Sequence, residues 1–159
     1  MAKSGTPLAE GDKAPPFTLA ADGGGTVSLS THREKKVVLY FYPKDDTSGC
    51  TAEAVAFSED LSKFRSAGAV IIGVSKDSPA SHDKFKAKYE LGVTLVSDED
   101  TKTAAAYGVW VDKSMYGRRY RGMERATFLL VGMGVIRKIW RKVKVPGHSA
   151  EVLKAARSL

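Results

Sequence analysis

The stretch KVVLYFYPKDDTSGCTAEA, residues 36–54, contains the only cysteine of the 159-residue chain and the transition that decides its fold. Its first half is a short apolar run rich in Val, Tyr and Phe, the composition of a strand buried on both faces. Pro43 ends that run. From Thr51 to Ala67 the residues Ala54, Phe57, Leu61 and Phe64 recur at helical spacing, until Gly68 supplies a stop. A strand leads into a helix, and Cys50 lies in the first turn of that helix.

The same alternation continues downstream. AVIIGVS (69–75) reads as a second buried strand. Ser78 and Pro79 cap and open a helix whose His82, Phe85 and Tyr89 share one face, with Gly92 closing it. VTLVSD (93–98) and TKTAAAYG (101–108) repeat strand and helix, and the polar, Gly- and Arg-rich segment from Tyr116 to Gly122 reads as a loop. ATFLLV (126–131) and VIRKIWRKV (135–143) flank the turn GMG, and GHSAEVLKAARSL (147–159) is a last helix begun at His148 with Ser149 as its cap. The order βαβαβα, then ββα, predicts an α/β fold with a central mixed sheet, helices on both faces and right-handed crossovers. One domain over residues 1–159 is expected. DGGG (22–25) lacks the Lys-Ser/Thr of a phosphate loop and GMG lacks the third glycine of a dinucleotide fingerprint, so both read as turns.

Composition narrows the function. The N-terminal MAKSGTPLAEGDKAPPF has no apolar core of a leader, and no stretch approaches eighteen uncharged apolar residues, so a soluble, unexported, cytoplasmic chain with no membrane partner is expected. One cysteine makes no internal disulfide framework, and three scattered histidines give no zinc spacing; neither metal nor cofactor is expected. The net charge of +7 is local, since residues 118–144 hold nine Lys/Arg against one Glu. Such a patch can attract nucleic acid. RKIWRKVKV also reads as an exposed strand kept soluble by cations, and no nucleic-acid motif accompanies it, so nucleic acid is not the expected partner.

Ligands of open α/β sheets collect beyond the carboxyl ends of the strands, where Cys50 sits. The unpaired N–H groups and positive dipole end of a helix favour the thiolate over the thiol. A lone cysteine is otherwise a small buried apolar residue. Asp46, Thr47, Ser48, Gly49 and Thr51 are not core company, which favours the reactive alternative. His82, on an apolar face, reads as a hydrogen-bonded core histidine rather than a base.

A disulfide reductase on a similar sheet carries Cys-x-x-Cys at this turn; here the span is Thr47-Ser48-Gly49-Cys50, with a hydroxyl for the first thiol. The pattern Pro-x-x-x-Thr-x-x-Cys, from Pro43 to Cys50, resembles the active-site signature of the peroxiredoxins. FYPKDDTSGCTAEA resembles the peroxiredoxin Q branch, also called bacterioferritin comigratory protein. GDKAPPFTL, GVSKDSPASHDKF, VSDED, YGVW, ERATFLL and WRKVKVPGHSAEVL are similar to that branch in the same order, across nearly the whole chain.

The resemblance implies a thioredoxin-like fold, a monomer, and thiol-dependent reduction of hydrogen peroxide and organic hydroperoxides. It implies that the Cys50 thiolate attacks the terminal peroxide oxygen, giving a sulfenic acid and expelling water or an alcohol. Arg125 would stabilise the thiolate and the charge growing across the O–O bond. The Thr47 hydroxyl, accepting or donating, would align the peroxide together with the Cys50 N–H. Pro43 would limit water around the sulfur, and Glu53 would orient the arginine. Many members of the branch carry a resolving cysteine five residues after the first, where Val55 stands, or on the next helix, near Lys86 here. The sulfenic acid would then need an external thiol: thioredoxin, glutaredoxin or glutathione. The alternative to a peroxidase is a redox-sensing or chaperone-like binding protein switched by Cys50 oxidation; slow peroxide consumption with oxidation-dependent binding would distinguish it.

Overall fold

The computed structural model describes residues 7–159; the part of the leader expectation that rests on the first six residues lies outside them. Thr18–Ala21 (β1) and Thr26–Ser28 (β2) form a hairpin across the DGGG turn, and Lys36–Phe41 (β3) leads into Ser48–Glu59 (α1) and Leu61–Ser66 (α2). Ala69–Ser75 (β4), Pro79–Tyr89 (α3), Thr94–Ser97 (β5) and Lys102–Ala106 (α4) follow. Trp110–Met115 (β6) and Arg118–Met123 (β7) precede Ala126–Val131 (β8), Val135–Trp140 (β9) and His148–Arg157 (α5). The main sheet runs β2-β1-β5-β4-β3-β8-β9. Pairings β3/β4 and β4/β5 are parallel and the others antiparallel, which is the expected mixed sheet.

Strand β3 is a continuous apolar run because both of its faces are covered. Val37, Leu39 and Phe41 pack with Phe17, Tyr107 and Phe128 on one side. Val38 and Tyr40, with Tyr42 just beyond the strand, pack on the other against Phe57, Phe64, Phe85 and Val152, from α1, α2, α3 and α5. Burying each such side chain contributes about 1.5–3 kcal/mol before chain entropy is counted. Gly73 on β4 makes room for the Tyr40 ring: a Cβ there would lie 2.6 Å from its Cζ. No helix of the described residues is long and apolar enough to cross a membrane.

Several local expectations are corrected. The helix expected over Thr51–Ala67 begins at Ser48 and is interrupted at Asp60. The Ser149 hydroxyl donates to the Asp60 carboxylate at 2.8 Å, so Ser149 ties α5 to the break instead of capping its own helix, whose N-cap is Gly147. Helix α3 ends in a left-handed Glu90, not at Gly92, whose bare α-carbon instead accommodates Leu61: a Cβ would meet its Cδ2 at 2.9 Å. The segment from Tyr116 to Gly122 is not a loop. It holds the turn and most of the second strand of a β6–β7 hairpin, reversed at Tyr116 and Gly117, both with positive φ, as a tight two-residue hairpin turn requires. The basic strand β9 is an edge strand with Arg137 and Lys138 exposed, as its composition predicts. Ser78 caps α3, accepting from the Ser81 N–H at 3.1 Å.

Candidate active site

Beyond the carboxyl end of β3 the chain turns through Pro43–Thr47 into α1. The Tyr42 N–H still donates to Val74 on β4; Pro43 has no N–H with which to continue the ladder. The turn is then clamped to α3. Asp46, at φ 58°, accepts from the Lys88 ammonium at 2.8 Å and the Tyr89 hydroxyl at 2.6 Å. The Asp45 N–H donates to Asp77 at 2.8 Å, while its carboxylate accepts from the Tyr42 hydroxyl at 2.6 Å and the Ser81 hydroxyl at 2.8 Å.

Asp45 also meets His82. Nδ1 of His82 lies 2.7 Å from Asp45 Oδ2, and Nε2 lies 2.9 Å from the Val96 carbonyl. A carbonyl only accepts, so Nε2 carries hydrogen; a carboxylate likewise only accepts, so the bond to Asp45 favours hydrogen on Nδ1 as well. The pairing thus favours the imidazolium form of His82, whose surface is 0% exposed. Burial alone would push its pKa down, but the hydrogen bond and charge of Asp45, with the Val96 carbonyl, outweigh that and hold it above the ordinary value. The expectation of a hydrogen-bonded core histidine stands, and its partner is the loop that carries the cysteine.

Cys50 is 2% exposed, so its sulfur is largely screened from bulk water. The Arg125 Nη2 donates to Cys50 Sγ at 3.3 Å, and Nη1 donates to Glu53 Oε1 at 2.7 Å. One rigid guanidinium thus spans one turn of α1. It crosses the helix over Gly49, where a Cβ would stand 3.1 Å from Nη2. Arg125 is fixed from behind: Glu124 is held by Arg141 at 2.6 and 3.1 Å, and the Val143 N–H donates to the Arg125 carbonyl at 3.0 Å. Against desolvation, Glu53 and Cys50 keep the arginine strongly charged. At Glu53 the same pairing does not fully offset burial, which prevails and raises its pKa to about 7.

The Thr47 hydroxyl donates to the Lys44 carbonyl at 2.8 Å. With its hydrogen committed, it faces a ligand as an acceptor. Thr47 is the N-cap of α1 but its side chain makes no capping bond, and helical bonding begins with the Thr51 N–H to the Thr47 carbonyl, so the N–H groups of the first turn, including that of Cys50, have no intrahelical acceptor. The start of α1 thus offers a hydroxyl acceptor at Thr47 and a free backbone donor at Cys50. Thr47→Val is expected to slow peroxide reduction about 10²-fold, the loss typical of one oriented polar contact. Iodoacetamide alkylation of Cys50 should stay nearly unchanged; equal losses in both rates would contradict an aligning role.

Sequence reasoning pointed to Pro43, Thr47, Cys50, Glu53 and Arg125, and the structure brings them to one end of the sheet. Asp45, Glu124 and Gly49 were not singled out, and His82 was read as a core histidine from the apolar face it shares with Phe85 and Tyr89, without its link to the cysteine loop. Val55 packs at the edge of the core beneath α1, and the Lys86 ammonium meets Asp22 at 2.8 Å.

Residues 10–139 match the AhpC/TSA family. The chain is 53% identical over 143 residues, 90% of its length and 95% of the other, to a Coxiella burnetii protein carrying the peroxiredoxin bcp name. It is 48% identical over 149 residues, 94% of its length and 95% of the other, to Peroxiredoxin Bcp of Bacillus subtilis. Among solved structures, Xanthomonas campestris Peroxiredoxin Q superposes with a TM-score of 0.86 at 46% identity, over 89% of this chain and 90% of that one. Cys→Ser variants of that protein at two different positions give it at least two cysteines, where this chain has one. The chain belongs to the AhpC/TSA family, among its Bcp and peroxiredoxin Q peroxiredoxins.

Proposed function

We propose that this chain is a thiol-dependent peroxidase that works through a Cys50 sulfenic acid and is recycled by an external thiol. The observation that carries the reading is the Arg125 guanidinium on Cys50 Sγ at the N-terminus of α1. Family membership supports it. So does the alkyl peroxide reduction activity named for a Xanthomonas campestris bacterioferritin comigratory protein, 45% identical over 89% of this chain with a TM-score of 0.85.

In this reading the peroxide O–H donates to Thr47 Oγ1 and an oxygen accepts from the Cys50 N–H, which sets the O–O bond in line with the sulfur. The thiolate attacks the terminal oxygen. Charge grows on the departing oxygen beside Arg125, a fixed cation that needs no reorganisation. Pro43 contributes a wall without a donor, and Glu53 holds the guanidinium in register. The product is a sulfenic acid plus water or an alcohol.

No second cysteine exists in the sequence, so resolution must come from outside: thioredoxin, glutaredoxin or glutathione. The test is steady-state peroxide consumption with each thiol in turn. Turnover with at least one of them supports the reading, and no turnover with any would overturn it.

A further consequence concerns inactivation. When peroxide outruns thiol, a second peroxide should carry Cys50 to sulfinic acid, which ordinary thiols do not reverse. Val55→Cys is expected to slow that loss and to shift recycling toward a dithiol. Residues five apart on a helix are separated by about 7.5 Å along its axis, beyond the reach of a disulfide, so α1 must unwind locally for the bridge to form. Intact mass across a peroxide titration checks this; sulfinic acid accumulating as fast in the variant, with no internal disulfide, would contradict it.

A further inference from the structure

Glu53 is buried, and only one of its carboxyl oxygens is partnered. Oε1 accepts from Arg125, while Oε2 has no hydrogen-bond partner among the described residues. The Tyr40 hydroxyl on β3, in the apolar layer beneath α1, is equally unpartnered. The remaining charged or titratable groups nearby are committed elsewhere. Lys113 on β6 donates to the Met123 carbonyl, Asp45 is held by Tyr42, Ser81 and His82, and His148 on α5 contacts Thr127, with burial first and Arg125 in addition keeping it neutral. One guanidinium therefore serves two acids, the Cys50 thiol through Nη2 and the Glu53 carboxyl through Nη1.

With both acids ionised, the site would hold two anions against one cation, and a carboxylate oxygen would be buried without any donor. That arrangement is costly in a water-poor layer. A proton on Glu53 removes the excess charge and gives the unpartnered oxygen a hydrogen.

We propose that Glu53 is the proton reservoir of the cysteine: it holds a proton on Oε2 while Cys50 is a thiolate and releases it when the sulfur becomes a neutral sulfenic acid. The inference rests on the peroxidase reading above. In the balanced step, the thiolate, the hydroperoxide and the protonated Glu53 become sulfenic acid, alcohol or water, and Glu53 carboxylate. The sulfur–oxygen bond forms as the O–O bond breaks, and sulfur loses two electrons to the departing oxygen. The proton taken up by that oxygen is balanced by the one leaving Glu53. Direct hand-off is not required. Once the thiolate charge is gone, Arg125 is left to Glu53 alone, and the carboxylate becomes the favoured form. Glu53 is thus a positioning residue that acts through Arg125.

The test compares the parent chain with Glu53→Gln, which keeps an oxygen for Arg125 Nη1 but holds no exchangeable acid proton. Each protein is oxidised with one equivalent of hydrogen peroxide in weak buffer containing an indicator dye, and intact mass verifies that Cys50 gained one oxygen. Without a reservoir, turning thiolate into sulfenic acid and water takes up about one proton from solvent. At about pH 6 the parent should take up far fewer protons than Glu53→Gln, and the difference should vanish at about pH 9, where Glu53 is already ionised. Equal uptake at the lower pH with Cys50 equally oxidised would overturn the proposal. Should the variant not fold, infrared difference spectra of the parent decide alone: loss of a protonated-carboxyl band on oxidation supports the reservoir, and no change overturns it. If mass shows no oxidation of Cys50, the peroxidase reading fails first and the inference fails with it.

Discussion

Arg125→Ala is expected to slow peroxide reduction by about 10²–10³-fold and to slow alkylation of Cys50 at about pH 6 as well. The two losses share one cause. The guanidinium donates directly to Sγ at 3.3 Å, so it stabilises the thiolate that both reactions consume. Peroxide reduction should lose more, because charge on the departing oxygen also depends on this cation, whereas an alkylating agent makes no such demand. Arg125→Lys should restore little of the peroxide rate: a single ammonium is a point charge and cannot reach Cys50 and Glu53 with two fixed donors. Stopped-flow peroxide consumption and iodoacetamide labelling, run on the same preparations, separate the two effects. Unchanged rates in Arg125→Ala would remove the arginine from the account.

The second large effect concerns stability. Asp45→Ala should destabilise the fold by about 3–5 kcal/mol, the usual result of stripping the partner from a buried ion pair. In a chain of this size that corresponds to a fall in Tm of roughly 6–20 °C. The pH dependence has a definite sign. The His82 pKa is raised in the folded state, so the pair's contribution is fully present below the ordinary value of 6.5 and is lost as pH rises through the folded value. The deficit of Asp45→Ala should therefore be largest in mild acid and shrink at alkaline pH. Urea unfolding across that range measures it, and a deficit below about 1 kcal/mol, or one that grows with pH, would contradict a buried imidazolium. Because Asp45 belongs to the turn bearing Thr47, the variant should also lose peroxide reactivity at temperatures where it remains folded.

The parallel core was legible because β3, β4 and β5 are covered on both faces, and full cover leaves uninterrupted apolar runs in the sequence. The β6–β7 hairpin left no such trace. Its strands pair with each other outside the main sheet, and most of β7 is exposed, so no alternation marks Arg118–Arg121 as a strand. Tyr116-Gly117 was its one signal, a turn with two positive φ values that Tyr seldom provides. At the break, Asp60 accepts from the Ser149 hydroxyl of α5, a contact that no helical periodicity encodes.

The candidate site divides in the same way. Cys50 was legible from its place at a strand-to-helix turn, Thr47 and Pro43 through a motif, and Arg125 and Glu53 only through the family resemblance. Asp45 looks like a solvated acid beside Asp46, yet it is buried, and the histidine that requires it lies 37 residues away. Gly49 reads as an ordinary small residue of a helix start; only the guanidinium lying over its α-carbon gives its size a consequence.

The central claim is that Cys50, held by Arg125, reduces peroxide by itself. The most direct measurement mixes the reduced chain with one equivalent of hydrogen peroxide in the absence of any other thiol. Peroxide consumed is then counted against the mass of the protein and its labelling by a sulfenic-acid trap. The account predicts that one peroxide disappears per chain and that the trapped label maps to Cys50. Peroxide left unconsumed, with the Cys50 thiol still fully titratable, would contradict it.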